Sequence, residues 1–236
     1  MHNIKKETDI VMIEYLIELD KTIFLYFNSF HTLYLDQFFW IITGKIIWIP
    51  LILSLLYVFF KQGWREAVLI ILMLGLTVLL CDQISSGICK PLFERFRPTH
   101  DPEFSQYVTT VNGYLGGMYG FISSHAANTF GVAMFLILIF KRRLFSISII
   151  VWALLSSYSR LYLGVHYPGD IICGALVGLA IGYIIYRIYQ NLHFKIFCKV
   201  PVPYKKDKNI NIVISVLYIT YIFILVFAPL INFKIK

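Results

Sequence analysis

Apolar residues run along this chain in blocks of helix length, and the polar residues collect between them. Six blocks, at 39–60, 66–88, 124–140, 144–163, 169–190 and 209–230, have the length and composition of apolar helices once polar ends are allowed. A bilayer core takes about 20 apolar residues in a helix, so the pattern predicts six transmembrane helices. The links are short and charged: Lys61 to Arg65, Lys141-Arg142-Arg143, and Asn191 to Lys208. The loop from Lys90 to Phe121 differs. Gly113, Gly116, Gly117 and Gly120 let it turn tightly over a ligand. Residues 10–30 are apolar but interrupted, with Glu14, Glu18 and Lys21 falling at i, i+4 and i+7 in one polar stripe. That predicts an amphipathic helix lying in the headgroup layer rather than a seventh span. The chain therefore reads as an all-α polytopic membrane protein. It is a single domain over residues 1–236, with a core at 39–190 and an extra C-terminal transmembrane helix at about 209–230.

Composition agrees. The 236 residues are 58% apolar, 17% aromatic and 14% charged, with a mean hydropathy of +0.73. Soluble domains carry about 25% charged residues. The net charge of +8 could serve nucleic acid, but the cations cluster beside apolar runs and not on a polar domain, so no nucleic-acid partner is expected. Cys81, Cys89, Cys173 and Cys198 show no disulfide or zinc spacing and are expected as small buried residues. Lys5 and Lys6 resemble a basic leader, but Glu7, Asp9, Glu14 and Glu18 interrupt any apolar stretch, so the first transmembrane helix is expected to direct insertion.

Lysine and arginine placement sets the expected orientation. Eleven cations fall at one end: Lys61, Arg65, Lys141, Arg142, Arg143, Arg187, Lys195, Lys199, Lys205, Lys206 and Lys208. Nine fall at the other: Lys5, Lys6, Lys21, Lys90, Arg95, Arg97, Arg160, Lys234 and Lys236. Lys45 is expected to snorkel outward. Setting aside the motif cations Lys90, Arg97 and Arg160 leaves eleven against six. The expected location is a bacterial inner membrane, with the second end facing the periplasm or exterior.

That end carries three polar constellations: Lys90-x6-Arg97-Pro98, Ser123-Ser124-His125, and Ser159-Arg160-x5-His166-x3-Asp170. Each sits at the water end of an apolar run. Charges held between membrane helices are costly and mark function. A phosphate ester gains equatorial charge during transfer, which surrounding cations stabilise. Lys90 supplies a mobile point charge, while Arg97 and Arg160 supply planar forks. Pro98 stops the helix and holds Arg97. Ser123 and Ser124 open a helix whose free N–H groups form an anion site. Asp170, four residues beyond His166, is spaced to accept one ring N–H and leave the other nitrogen as a nucleophile for phosphorus. His125 would protonate the departing oxygen. Asp82, Glu94, Asp101 and Glu103 are scattered, so neither metal nor other cofactor is expected. Three weaker readings accompany these. Asp82 supports Lys90 or a helix–helix hydrogen bond, Asn128 orients His125, and Trp40, Trp48 and Tyr167 anchor at the interface.

Taken in order, these segments resemble the three signatures of the type 2 phosphatidic acid phosphatase family, which is related to vanadium haloperoxidases. The resemblance covers roughly residues 39–190. It implies a helical membrane core and metal-independent hydrolysis of a phosphate ester through a phosphohistidine. It implies His166 as nucleophile, Asp170 as its orienting partner and His125 as general acid, with Lys90, Arg97, Ser123, Ser124 and Arg160 binding phosphate. The middle signature usually reads Pro-Ser-Gly-His, where this chain has Ile122-Ser123-Ser124-His125. The stretches around His125 and from Leu163 to Asp170 look like bacterial members that act on lipid A phosphates, undecaprenyl diphosphate or phosphatidylglycerol phosphate. Phosphatidate is a further candidate, and the choice between mono- and diphosphate stays open, as does the oligomeric state. The competing class is a non-enzymatic lipid or phosphate transporter or binding protein, which would need the cations but neither histidine. A haloperoxidase fits a membrane site poorly.

Overall fold

In a computed structural model, the chain is described over residues 2–199, 201 and 208–230, with the backbone alone for 2–10. Of the lysines counted for orientation, Lys205, Lys206, Lys234 and Lys236 lie outside the described residues, as do the side chains of Lys5 and Lys6. The described residues form helices and loops, with a single isolated bridge between Phe96 and Tyr119. Helix α1 spans His2–Asn28, α2 Leu33–Thr43 and α3 Ile49–Lys61. Helix α4 (Trp64–Asp82) continues through a π-helical segment, Gln83–Cys89, into the short α5 (Lys90–Phe93). Then come α6 (Ser124–Phe140), α7 (Arg143–Tyr162), α8 (Pro168–Phe197) and α9 (Ile210–Phe227).

Among the described residues, four helices are long and apolar enough to cross a bilayer: Trp64–Phe93, Arg143–Tyr162, Pro168–Phe197 and Ile210–Leu230. A fifth candidate is the bent pair of α2 and Ile46–Lys61, which meet at 65°. The run at 39–60 is thus not one helix, as the sequence pattern predicts, but two. Gly44 takes extended backbone that stops α2, and Pro50, which has no N–H to lose, sits in the first turn of α3. The run at 124–140 forms α6, shorter than the rest. In place of the expected six spans, the described residues hold four, or five with the bent pair, by length and composition.

Helix α6 is the hub, packed most heavily on α8 and then on α7 and α4. Three glycines one turn apart, Gly174, Gly178 and Gly182, let α8 lie directly on the α6 backbone. A Cβ at these positions would run into the carbonyls of Ser123, Ala127 and Gly131 respectively. The membrane core is built from α2–α4 and α6–α9. Two smaller clusters close the other end. One joins Phe39 and Val111 to Tyr162, Leu163 and Val165; the second joins Phe24 of α1 and Phe104 to Leu161 and Tyr167. These clusters press α1 and the long loop onto the turn between α7 and α8.

Several expectations change. Trp48 and Tyr167 are buried and are not interface anchors. Trp48 donates its indole N–H to the Ile42 carbonyl and packs edge-on against Trp152 and Tyr221. Trp40 is half-buried and meets Tyr114 edge-on. All four cysteines are free, but only Cys81 is fully buried and Cys198 is exposed, because it ends α8 in a left-handed conformation beyond the core.

Candidate active site

The three constellations converge at one end of the bundle. The π-helical segment delivers the first: its widened turn carries the N–H of Lys90 to the carbonyl of Ser85, five residues back. The Lys90 ammonium donates to Ser86 Oγ at 3.0 Å and Ser124 Oγ at 2.7 Å, and those two hydroxyls lie 2.8 Å apart. Ser86 also donates to Asp82 Oδ1 at 3.3 Å, so Asp82 supports Lys90 through a serine.

The helix breaks after Phe93, where Glu94 is left-handed. The chain then pairs with the glycine-rich part of the loop: Arg97 N–H to the Met118 carbonyl at 3.0 Å, and Gly120 N–H to the Arg95 carbonyl at 2.8 Å. This brings the buried Arg97 side chain inward, where Nε donates to the Tyr119 carbonyl at 3.1 Å and Nη1 to the Val165 carbonyl at 3.3 Å. Two loop glycines are required by close approach. A Cβ on Gly116 would stand 2.7 Å from Arg97 Nη1, and one on Gly120 would stand 2.9 Å from Asp170 Oδ2.

Ser123 is the N-cap of α6, its Oγ accepting from the Ala126 N–H at 3.4 Å. Its own N–H donates to the Asp170 carbonyl at 2.9 Å, tying the starts of α6 and α8 together. Ser123 is therefore buried as a cap, with a hydroxyl proton still to give, while Ser124 meets the Lys90 ammonium directly. His125 follows in the first turn and interacts electrostatically with Arg160, His166 and Lys45. Asn128, one turn on, has its Oδ1 buried without a hydrogen-bond partner.

Arg160 ends α7. Its Nη1 donates to Thr43 Oγ1 at 2.7 Å and its Nη2 to Tyr114 OH at 3.1 Å, while its Nε is buried with no partner. That orphaned N–H is a donor suited to an incoming oxyanion. Burial raises the Tyr114 phenol pKa, but Arg160 and Arg97 more than offset it and hold it below its ordinary value. Gly164, at φ +79°, turns the chain from α7 toward α8, and His166 lies in that turn, 2% exposed. Its Nδ1 stands 3.3 Å from Asp170 Oδ2, which also accepts the Tyr167 N–H at 3.0 Å. Burial, then the charges of Arg97, Arg160 and Lys90, hold His166 well below the ordinary histidine value, so the free ring is neutral. With Nδ1 toward the carboxylate, Nε2 is the basic nitrogen.

All eight sequence-predicted site residues thus belong to one cluster. Sequence reasoning missed Ser86, Thr43 and Tyr114, and also Arg95 and Asp20, which bond Asp170 and the start of α8. Arg95 was visible as a second cation inside the first signature; the others carried no signal. Among the described residues no group of three His, Cys, Asp or Glu side chains could hold a metal ion.

The family model described as the PAP2 superfamily matches residues 66–194. A lipid A 4'-phosphatase of Bacteroides thetaiotaomicron is 42% identical over 197 residues, 82% of this chain and 87% of that protein. A lipid A 4'-phosphatase of Porphyromonas gingivalis is 42% identical over 177 residues, 75% of each chain. Two crystal structures share the fold. LpxE of Aquifex aeolicus matches with a TM-score of 0.54 at 22% identity, covering 70% of this chain and 93% of that one. A PAP2-type phosphatidylglycerolphosphate phosphatase of Bacillus subtilis matches with a TM-score of 0.57 at 23% identity, covering 75% and 88%.

Proposed function

The chain belongs to the PAP2 superfamily and is a membrane lipid phosphate phosphatase, and on that premise we propose that it removes the 4'-phosphate of lipid A through a phosphohistidine on His166. The observation that carries the chemistry is the buried, neutral His166, with Nδ1 toward Asp170 and three cations around it. The relatives that support the substrate are both named lipid A 4'-phosphatases.

Phosphate enters among Lys90, Arg97, Arg160, the Ser124 and Ser123 hydroxyls and the first turn of α6. The Arg160 Nε–H and the Tyr114 hydroxyl proton are free to complete its shell. His166 Nε2 attacks phosphorus, the N–P bond forms as the bond to the sugar oxygen breaks, and Asp170 holds the Nδ1–H. The phosphate's negative charge favours protonated His125, which gives its proton to the departing oxygen. Water then attacks phosphorus, losing its proton to His125, and phosphate and free His166 are restored. No step needs a metal ion. A transporter would use the same cations but gains nothing from a histidine oriented by a carboxylate.

The active end faces the periplasm in this reading, α1 lies along the membrane surface, and α6 counts as a crossing. Helix α6 starts beside Asp170 and ends where Phe140 packs on Phe59 at the far end of α3, so it traverses the bundle as α4 and α8 do.

The test is phosphate release from purified protein offered lipid A 4'-phosphate, lipid A 1-phosphate, undecaprenyl diphosphate, phosphatidylglycerol phosphate and phosphatidate. Release is expected foremost from the 4'-phosphate, is expected to survive EDTA, and is expected to be inhibited by vanadate. A preference for another lipid overturns the substrate, and loss in EDTA restored by a divalent ion overturns the mechanism.

A further inference from the structure

The site already described uses Lys90, Arg97 and Arg160, but Arg95 is the cation at this end with the fullest set of carboxylate partners. Its Nη1 donates to Asp170 Oδ1 at 2.9 Å and its Nη2 to Asp20 Oδ2 at 2.6 Å, and its guanidinium lies 4.4 Å over the Tyr167 ring. Asp20 is on α1, 75 positions away from Arg95 in sequence. Its second oxygen accepts the Gly169 N–H at 2.7 Å. Gly169 and Asp170 lie in the first turn of α8, so a carboxylate from another helix caps the helix that carries the orienting carboxylate. Gly169 has to be glycine for this approach, because a Cβ there would stand 2.9 Å from Asp20 Oδ2.

Asp170 is fully buried, and its two oxygens have separate tasks. Oδ2 receives His166 Nδ1 and the Tyr167 N–H; Oδ1 receives Arg95. We propose that Arg95 and Asp20 are positioning residues of the phosphatase. Arg95 fixes the rotation of Asp170 and balances its charge, Asp20 fixes Arg95 and the first turn of α8, and the N-terminal helix thereby sets the angle of the His166 ring. The proposal rests on the reading of His166 as nucleophile.

Three arguments carry it. A buried carboxylate without its cation either protonates or turns toward another partner, and in both cases His166 loses a fixed acceptor. The planar guanidinium holds two carboxylates from two helices along fixed N–H directions, a geometry that the compact ammonium of lysine does not reproduce. The docking of α1 does not depend on Asp20. Phe24 is buried against Phe104 and Tyr167, and Asn28 bonds the Thr109 and Tyr162 carbonyls and the Thr109 N–H. Losing Asp20 therefore removes the clamp while leaving the helix in place.

The experiment is a set of double-mutant cycles on the full chain in detergent micelles, reading kcat and KM with lipid A carrying the 4'-phosphate. Wild type, His166→Ala and Asp170→Ala come first. Undiminished turnover in those two variants overturns the catalytic reading, and this proposal with it, separately from anything Arg95 does. Given the expected losses there, Arg95→Ala and Asp20→Ala should each lower kcat on the order of 10- to 100-fold, by analogy with the loss of a partner that orients a metal-ligating histidine, with KM within about twofold. In an Asp170→Ala background either change should cost no more than about twofold further, because its route to His166 is already gone. Losses that multiply in the double variants, or a rise in KM alone, overturn the proposal; a general loss of folding would multiply. Should the alanine variants fold poorly, Arg95→Lys and Asp20→Asn carry the same cycle. Arg95→Lys is expected to retain the kcat loss despite keeping its charge, and full rescue by lysine overturns the clamp.

Discussion

At the scale of single residues, the proposed mechanism separates the groups that react from those that hold them. In the proposed mechanism His166→Ala removes the atom that attacks phosphorus, so turnover should fall on the order of 10⁴-fold or more while the protein stays folded. Asp170→Ala removes only the proposed orienting group and should cost less. Phosphate release from purified variants reads both, and near-native turnover of His166→Ala would sink the covalent route. The same histidine shapes stability. Its pKa in the folded protein lies well below the unfolded value of about 6.5. Below that pH the unfolded chain binds a proton that the folded chain refuses, so stability should fall as pH drops below about 6.5, at a slope approaching about 1.4 kcal/mol per pH unit from this group. Above pH 6.5 its contribution is constant. Thermal unfolding of wild type and His166→Gln between pH 7.5 and 5 checks this, and the glutamine variant should have the flatter acid limb. The histidine, its carboxylate and the three cations were legible in the sequence because their spacing is local. Arg95 was legible only as a charge, because its role depends on which carboxylates surround it.

At the scale of elements, the site depends on how closely two helices pack. Ser123, Ser124 and His125 start α6, Asp170 starts α8, and the glycine stripe at 174, 178 and 182 sets the distance between them. At Gly178 an added Cβ meets the Ala127 backbone, which cannot yield unless the helices part. Gly178→Ala is therefore expected to destabilise by about 1–3 kcal/mol, as overpacking does, and to lower activity in parallel. Gly75→Ala, in α4, meets nothing within 4 Å. It is expected to leave activity unchanged and to stabilise by up to about 1 kcal/mol through helix propensity. Thermal midpoints and phosphate release on the pair decide it, and equal effects would remove the stripe from the argument. Hydropathy located α6 and α8 but was blind to the stripe, since glycines mark a contact only once the helix facing them is known. It also missed the break at Gly44, because a run of apolar residues reads the same whether the helix within it is straight or bent.

At the scale of the whole molecule, one end of the bundle carries the candidate active site and the other is basic. Phe59, Lys61 and Arg65 share their end with Phe140 to Arg143, while Lys90, Arg97, Arg160 and His166 share the opposite end with α1. If the basic end is cytoplasmic, a cysteine at Gly117 should react with an impermeant thiol reagent in intact cells whose outer membrane has been permeabilised. Gly117 is exposed, and a Cβ there meets nothing within 4 Å, so the probe should leave the site undisturbed. Cys81, Cys89, Cys173 and Cys198 are replaced first. Labelling only after lysis would put the active end in the cytoplasm and favour lipid substrates of the inner leaflet.

Composition and the order of apolar runs determined that this is a helical membrane protein, and the spacing of three polar segments determined that its chemistry is on phosphate. Both are local properties, written in neighbouring residues, so they survive without a fold. The tertiary structure alone decided what completes the site: Thr43 and Tyr114 on Arg160, Ser86 between Lys90 and Asp82, and the clamp of Arg95 on Asp170 and Asp20. Most of these contacts join residues 46 to 117 positions apart. Whether such residues meet depends on the rotation and tilt of whole helices, which packing sets and no stretch of sequence specifies by itself.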